Sequence, residues 1–164
     1  MNDPPEKSGR TPIRRVPVVV HSRSSVRTAA PTVPYIVISI TDPGMPQAEL
    51  AQSDRLRGVL RLAFHDSGQE IDVPGLEGFR LSDDATVAMT RADADSIVGF
   101  VLDHVANCDI VLCQCEAGMS RSAGVAAALS QVLNRDDRFF FENYTPNLDV
   151  YRRVLEAAVR RGVI

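Results

Sequence analysis

At 164 residues the chain is long enough to enclose one hydrophobic core, and its 45% hydrophobic and 24% charged residues are ordinary for a globular domain. A net charge of −3 argues against nucleic-acid or anionic-membrane binding through bulk charge. No apolar run approaches the roughly 20 residues that span a bilayer, and the polar start lacks the apolar centre of a signal peptide, so the expected location is the cytoplasm.

Residues 1–15 carry prolines and mixed charges and read as a flexible tail, leaving 16–164 as a single domain. Val16 to His21 is a β-branched run, a first strand that tolerates Pro17 near its start. Ser22 to Ala30 has room for a short helix before Pro31 and Pro34. Tyr35 to Ile40 is the clearest strand, and its nearly continuous apolar character fits burial on both faces of a parallel sheet. Thr41-Asp42-Pro43-Gly44 stops it with turn chemistry. Gln47 to Arg57 is a weak helix candidate, and Gly58 to Phe64 a third strand ending at His65-Asp66-Ser67-Gly68.

Ile71 to Met89 has no strong period and reads as a long connection, of the kind that often forms a functional lid. Thr90-Arg91-Ala92-Asp93 is a capping box with Asp in place of Glu or Gln, and Ile97, Val98, Val101 and Val105 then recur at helical spacing. Asp109 to Gln114 is a fourth strand. The Ala-rich stretch Ser122 to Leu133 has few charges on any face and reads as a buried central helix. Two more helices are expected over Asp136–Asn143 and Asn147–Arg160, with Phe139, Phe140 and Phe141 packing into the core. Strands alternating with helices predict an α/β three-layer sandwich around a mainly parallel sheet of four to five strands.

Cys108, Cys113 and Cys115 lie close together, and an odd, clustered count is no disulfide framework. Cys113-x-Cys115 without a second ligand pair is a weak zinc signal, so buried small residues are expected at Cys108 and Cys113, with a resolving thiol as a second role for Cys113. Cys115 differs. It ends a strand, precedes the small-residue loop Glu116-Ala117-Gly118-Met119-Ser120, and is followed by Arg121, Ser122 and a helix. Backbone N–H groups gathered at such a break attract an anion, and phosphate fits. Gly118 lets the backbone bend around it, Arg121 offers a planar fork to two oxygens, and Ser120 and Ser122 place hydroxyls near the thiol. A thiolate inside a phosphate cradle points to phosphoryl transfer through a covalent intermediate.

Cys-x5-Arg-Ser between a strand and a helix resembles the signature loop of the cysteine-dependent protein tyrosine phosphatases. Glu116 to Ser122 resembles most the dual-specificity group, and the chain is compact like its small bacterial and phage-type members. The resemblance covers residues 109–133 best, then Gly58–Asp66 and Tyr144–Arg152. It implies a phosphatase-like fold and a phosphomonoester hydrolase, acting on phosphoprotein or small phosphomonoester substrates without metal or cofactor and without nucleic-acid or membrane partners. Cys115 is then the nucleophile, Arg121 and the amides of 116–121 the phosphate site, and Ser122 a leaving-group helper. An aspartate general acid is implied upstream: Asp66 at a strand end is favoured, with Asp83 or Asp84 as alternatives and His65 as a candidate to orient it. The absence of lysine inside the loop disfavours polyphosphorylated lipids. Where the family carries His before the cysteine, this chain has Gln114, which bridges backbone groups but supplies no imidazole. Cys115 is still expected to alkylate below the ~8.5 of a free thiol. Other functions for this loop are a rhodanese-like sulfurtransferase, an arsenate reductase, or a non-catalytic module that binds a phosphorylated ligand.

Overall fold

The computed structural model describes residues 14–67 and 86–164. Four strands, β1 (Val18–His21), β2 (Tyr35–Thr41), β3 (Leu56–Ala63) and β4 (Ile110–Gln114), form one sheet in the order β1-β4-β2-β3. Every neighbouring pair is parallel, as the apolar runs predict. The connections hold α1 (Arg23–Val26), α2 (Arg91–His104), α3 (Arg121–Asn134), α4 (Arg138–Asn143) and α5 (Leu148–Arg160), with one 3₁₀ turn at Val105–Asn107.

Side chains alternate across the sheet. Ile36, Ile38, Ile40, Val111 and Cys113 pack with residues of α2, α3 and α5 in the main core. Tyr35, Val37 and Leu112 face the other way, towards Ala29 and Leu50. That second face is covered by a thinner layer, the short α1 and the coil before β3. Ile36, Ile38 and Leu112 are at most 1% exposed, and burying such a side chain is worth about 1.5–3 kcal/mol. Every residue of α3 from Arg121 to Ser130 is buried, in agreement with the central helix expected from its low charge. Helix α2 begins with the expected reciprocal cap: Thr90 Oγ1 accepts from the Asp93 N–H at 3.0 Å and Asp93 Oδ2 from the Thr90 N–H at 2.8 Å.

Two expectations are corrected. Residues 47–57 hold no helix; the chain runs as coil to Asp54 and then enters β3 at Leu56. Arginine side chains bind carbonyls at its start: Arg23 Nη2 donates to Pro46 O, just before the segment, at 2.6 Å and Arg61 Nη1 to Ala48 O at 2.8 Å. Of the three phenylalanines only Phe140 is in the core, while Phe139 and Phe141 are 58% and 42% exposed. One short helix presents a single face inward, so three consecutive aromatics cannot all be buried. Among the described residues no helix is long and apolar enough to cross a membrane.

Candidate active site

Strand β4 is flanked by β1 and β2, and its C-terminal end delivers Cys115 to the crevice outside the carboxyl ends of the strands, where open parallel sheets bind ligands. The loop from Cys115 to Ser120 then turns back into α3. Gly118 makes that turn at φ +67°, and a Cβ there would lie 2.6 Å from Ser22 N and 2.8 Å from His21 C. Both the conformation and the contact demand glycine. Gly118→Ala is expected to lower stability by about 1–3 kcal/mol, read as a fall in Tm; an unchanged Tm would contradict this packing of β1 against the loop.

The loop's carbonyls are held from outside. Cys115 O accepts from Gln114 Nε2 at 2.8 Å, Glu116 O from the Arg23 N–H at 3.1 Å, Met119 O from the Thr145 N–H at 3.1 Å, and Ser120 O from the Asn147 N–H at 3.0 Å. A trans peptide carries C=O and the next N–H on opposite edges, so each tether turns the following amide the other way. The N–H groups of Glu116, Ala117, Ser120 and Arg121 are therefore each turned away from the tethered carbonyl that precedes them. The one acidic side chain of the loop is compensated: Glu116 Oε2 accepts from Arg23 Nε at 2.7 Å.

Cys115 is 2% exposed and its Sγ lies 3.0 Å from Ser122 Oγ. Arg121 is buried, unlike a surface arginine at a helix start. Its Nη1 donates to Asp42 Oδ1 at 2.6 Å and to Phe64 O at 2.8 Å. The cation is thus aimed by the ends of β2 and β3. Asp66 is brought onto the loop, where its Oδ1 accepts from Ser120 Oγ at 2.8 Å and from Asn147 Nδ2 at 2.7 Å. Asn147 is fully buried and also caps α5, accepting from the Val150 N–H through Oδ1 at 3.1 Å. Gly124 makes room for it, since a Cβ there would meet Asn147 O at 2.7 Å.

The structure thus gathers Cys115, Arg121, Ser122, Ser120 and Asp66 around one loop. Asp83 and Asp84 lie outside the described residues. His65 does not serve Asp66; its Nδ1 accepts from the Val87 N–H at 2.9 Å and its own N–H donates to Val87 O at 2.7 Å, closing the ends of the 68–85 connection. Burial, and then the neighbouring Cys115, push the Cys113 thiol well up, which keeps it protonated and inert near neutral pH. Cys108 and Cys113 are buried free thiols, as expected from the sequence. Among the described residues no cluster of three or more His, Cys, Asp or Glu side chains is arranged to hold a metal ion.

Asp42 and Asn147 were not singled out by the sequence. Asp42 follows a strand end, and Asn147 stands before the last helix as a capping residue; neither position alone reveals that its side chain reaches the Cys115 loop.

Compared with solved structures, the chain overlays human tyrosine phosphatase-like serine/threonine/tyrosine-interacting protein with a TM-score of 0.53, over 88% of this chain and 92% of that one, at 14% identity. The chain has the phosphatase-like fold. Looser overlays, each with a TM-score of 0.48, are found with PTPMT1 (20% identity, 89% and 94% covered) and with the active form of Tk-PTP (16% identity, 90% and 92% covered). No protein-family model and no curated protein matches the chain. In this phosphatase-like fold, the Cys115 loop joins the interior strand β4 to the buried helix α3.

Proposed function

We propose that the protein is a phosphomonoester hydrolase of the protein tyrosine or dual-specificity type, working through a phosphocysteine on Cys115 without a metal or cofactor. The observation that carries this reading is a buried Cys115 thiol, with Ser122 Oγ 3.0 Å away, on a loop that ends in a buried arginine held by Asp42 and Phe64 O; the hydrogen-bonded loop carbonyls support amides turned towards an anion there. Phosphate docks on those amides and on the free edge of the Arg121 guanidinium, whose Nη1 is already committed to Asp42 and Phe64 O.

The thiolate of Cys115 attacks phosphorus in line; the S–P bond forms as the P–O ester bond breaks, and Asp66 gives its proton to the departing oxygen. Both hydrogen bonds to Asp66 end on Oδ1, which leaves Oδ2 as the oxygen for that proton. Asp66 then takes a proton from water, the water oxygen attacks phosphorus, and the S–P bond breaks. Ser122 Oγ–H, 3.0 Å away, stabilises the returning thiolate. Arg121 stabilises the equatorial oxygens in both steps. Sulfur transfer gives Asp66 no task, so its placement on the loop favours phosphate ester hydrolysis over the sulfurtransferase reading.

The test is hydrolysis of an aryl phosphate and of a phosphopeptide panel with chelator present. Asp66→Asn is expected to lower kcat about 10²–10⁴-fold on an ester with a poor leaving group, whereas Asp83→Asn and Asp84→Asn stay near wild type. A wild-type rate for Asp66→Asn removes it from the acid role. Thiosulfate-dependent activity without phosphatase activity refutes the hydrolase reading.

A further inference from the structure

One row of side chains crosses three strands on the thinly covered face of the sheet. In register, Arg61 on β3 stands beside Ser39 on β2, and Ser39 beside Gln114 on β4. Arg61 Nη1 donates to Ser39 Oγ at 3.0 Å, Ser39 Oγ donates to Gln114 Oε1 at 2.6 Å, and Gln114 Nε2 donates to Cys115 O at 2.8 Å. Ser39 and Gln114 are 1% and 0% exposed. We propose that Arg61 is a positioning residue for the Cys115 loop, acting through Ser39 and Gln114 to fix the polarity of this relay and thereby the direction of the Glu116 N–H.

A guanidinium has donors only. With Arg61 donating to its oxygen, the single proton of Ser39 goes to Gln114. A glutamine amide has two orientations that differ by exchange of O and N, and the Ser39 proton selects the one with oxygen towards β2. The NH₂ group then faces Cys115 O; the reversed amide would set two oxygens against each other there and two donors against each other at Ser39. Holding Cys115 O on that side turns the Glu116 N–H to the opposite edge of the peptide, towards the cradle. Cys115 O favours this amide orientation from one end, and Arg61, donating to the Ser39 oxygen, reinforces it from the other.

The cation also strengthens the chain it starts, because charged donors polarise the hydrogen bonds beyond them in a poorly hydrated site. Burial, and then Arg23, lower the proton affinity of Arg61, yet a guanidinium stays charged at neutral pH. Its second bond, to Ala48 O, keeps the coil before β3 over the row.

The catalytic meaning of this relay rests on the hydrolase reading, but its effect on the loop is read without turnover. The measurement is the pH profile of Cys115 alkylation by iodoacetamide in folded wild type, Ser39→Ala, Arg61→Met, the double variant and Arg61→Lys. Arg121, Glu116, Asp42, Asp66, Arg23, His21 and Cys113, the other charged or titratable groups around the loop among the described residues, stay in place in every variant. Both single variants are expected to move the midpoint up by about one pH unit, as the Glu116 N–H loses its aim at the thiolate. The double variant is expected to move it no further than Ser39→Ala alone, and Arg61→Lys to leave it close to wild type. Ser39→Ala keeps the Arg61–Ala48 bond, so its shift separates the relay from support of the coil. If Arg61→Met does not fold, Ser39→Ala and Arg61→Lys decide, the first by shifting and the second by not shifting. Unmoved midpoints in the variants that remove the relay, or shifts that add in the double variant, overturn the proposal. A wild type that alkylates as described but hydrolyses no phosphate ester refutes the hydrolase reading and leaves the relay standing.

Discussion

Cys115→Ser will reduce hydrolysis of any phosphate ester on the order of 10⁴-fold or more, while the folded protein still binds inorganic phosphate or vanadate. The substitution exchanges Sγ for a smaller hydroxyl at a site that is 2% exposed, so the core around it barely changes. What the substitution removes is the proposed nucleophile: a hydroxyl ionises far less readily than a thiol. Ser122 Oγ, 3.0 Å from Cys115 Sγ, is a neutral hydroxyl and too weak a base to take over proton abstraction. The amides and Arg121 remain, so anion binding survives. Retained binding without turnover distinguishes a lost nucleophile from a collapsed loop. Equal turnover by wild type and variant would place the chemistry elsewhere.

Arg121→Lys will cost about 10³-fold in kcat/KM although the charge is kept. The guanidinium does two jobs at once. Its Nη1 is anchored on Asp42 Oδ1 and Phe64 O at 2.6 and 2.8 Å, and in the proposed reaction its remaining edge meets two phosphate oxygens. An ammonium is a single point of donors on a shorter stem and satisfies only one of these sets. If it reaches the anchors, phosphate loses its fork; if it reaches phosphate, the Asp42 carboxylate is left without its cation beside a bound dianion. Weaker inhibition by inorganic phosphate is expected to accompany the loss of rate. A wild-type kcat/KM would show that phosphate does not sit on Arg121.

Much of the architecture is legible along the chain because it is written in local terms. The continuous apolar run of β2 required burial on both faces, and the low charge of Ser122 to Leu133 required a central position for α3. The Thr90–Asp93 cap is a four-residue signal and appears as expected. The loop was legible as a break between strand and helix: Gly118 takes φ +67° and α3 begins at Arg121. Asp66 was read as a strand-end acid, and it reaches Ser120 and Asn147 on the loop.

What escaped is non-local. The helix expected over 47–57 is replaced by coil, a turn and the start of β3, and Arg61, distant in sequence, binds the Ala48 carbonyl there. Asp42 meets Arg121 only because β4 inserts between β1 and β2 and carries α3 under the end of β2. The same insertion makes Arg61, Ser39 and Gln114 neighbours, although they are far apart in the chain. Once that strand order is known, the replacement of the expected histidine by Gln114 is explained locally: it bonds to Cys115 O and is itself held by Ser39. The exposure of Phe139 and Phe141 depends on which side of the short α4 meets α3, which three identical residues in a row do not encode.

The most direct test of a covalent route is to quench the enzyme in acid during turnover of an aryl phosphate and map the modified residue by mass spectrometry. The account predicts one phosphoryl group on Cys115, accumulating further in Asp66→Asn and absent in Cys115→Ser. Phosphate release at a wild-type rate with no phosphoryl group on Cys115, or with one on another residue, would contradict it.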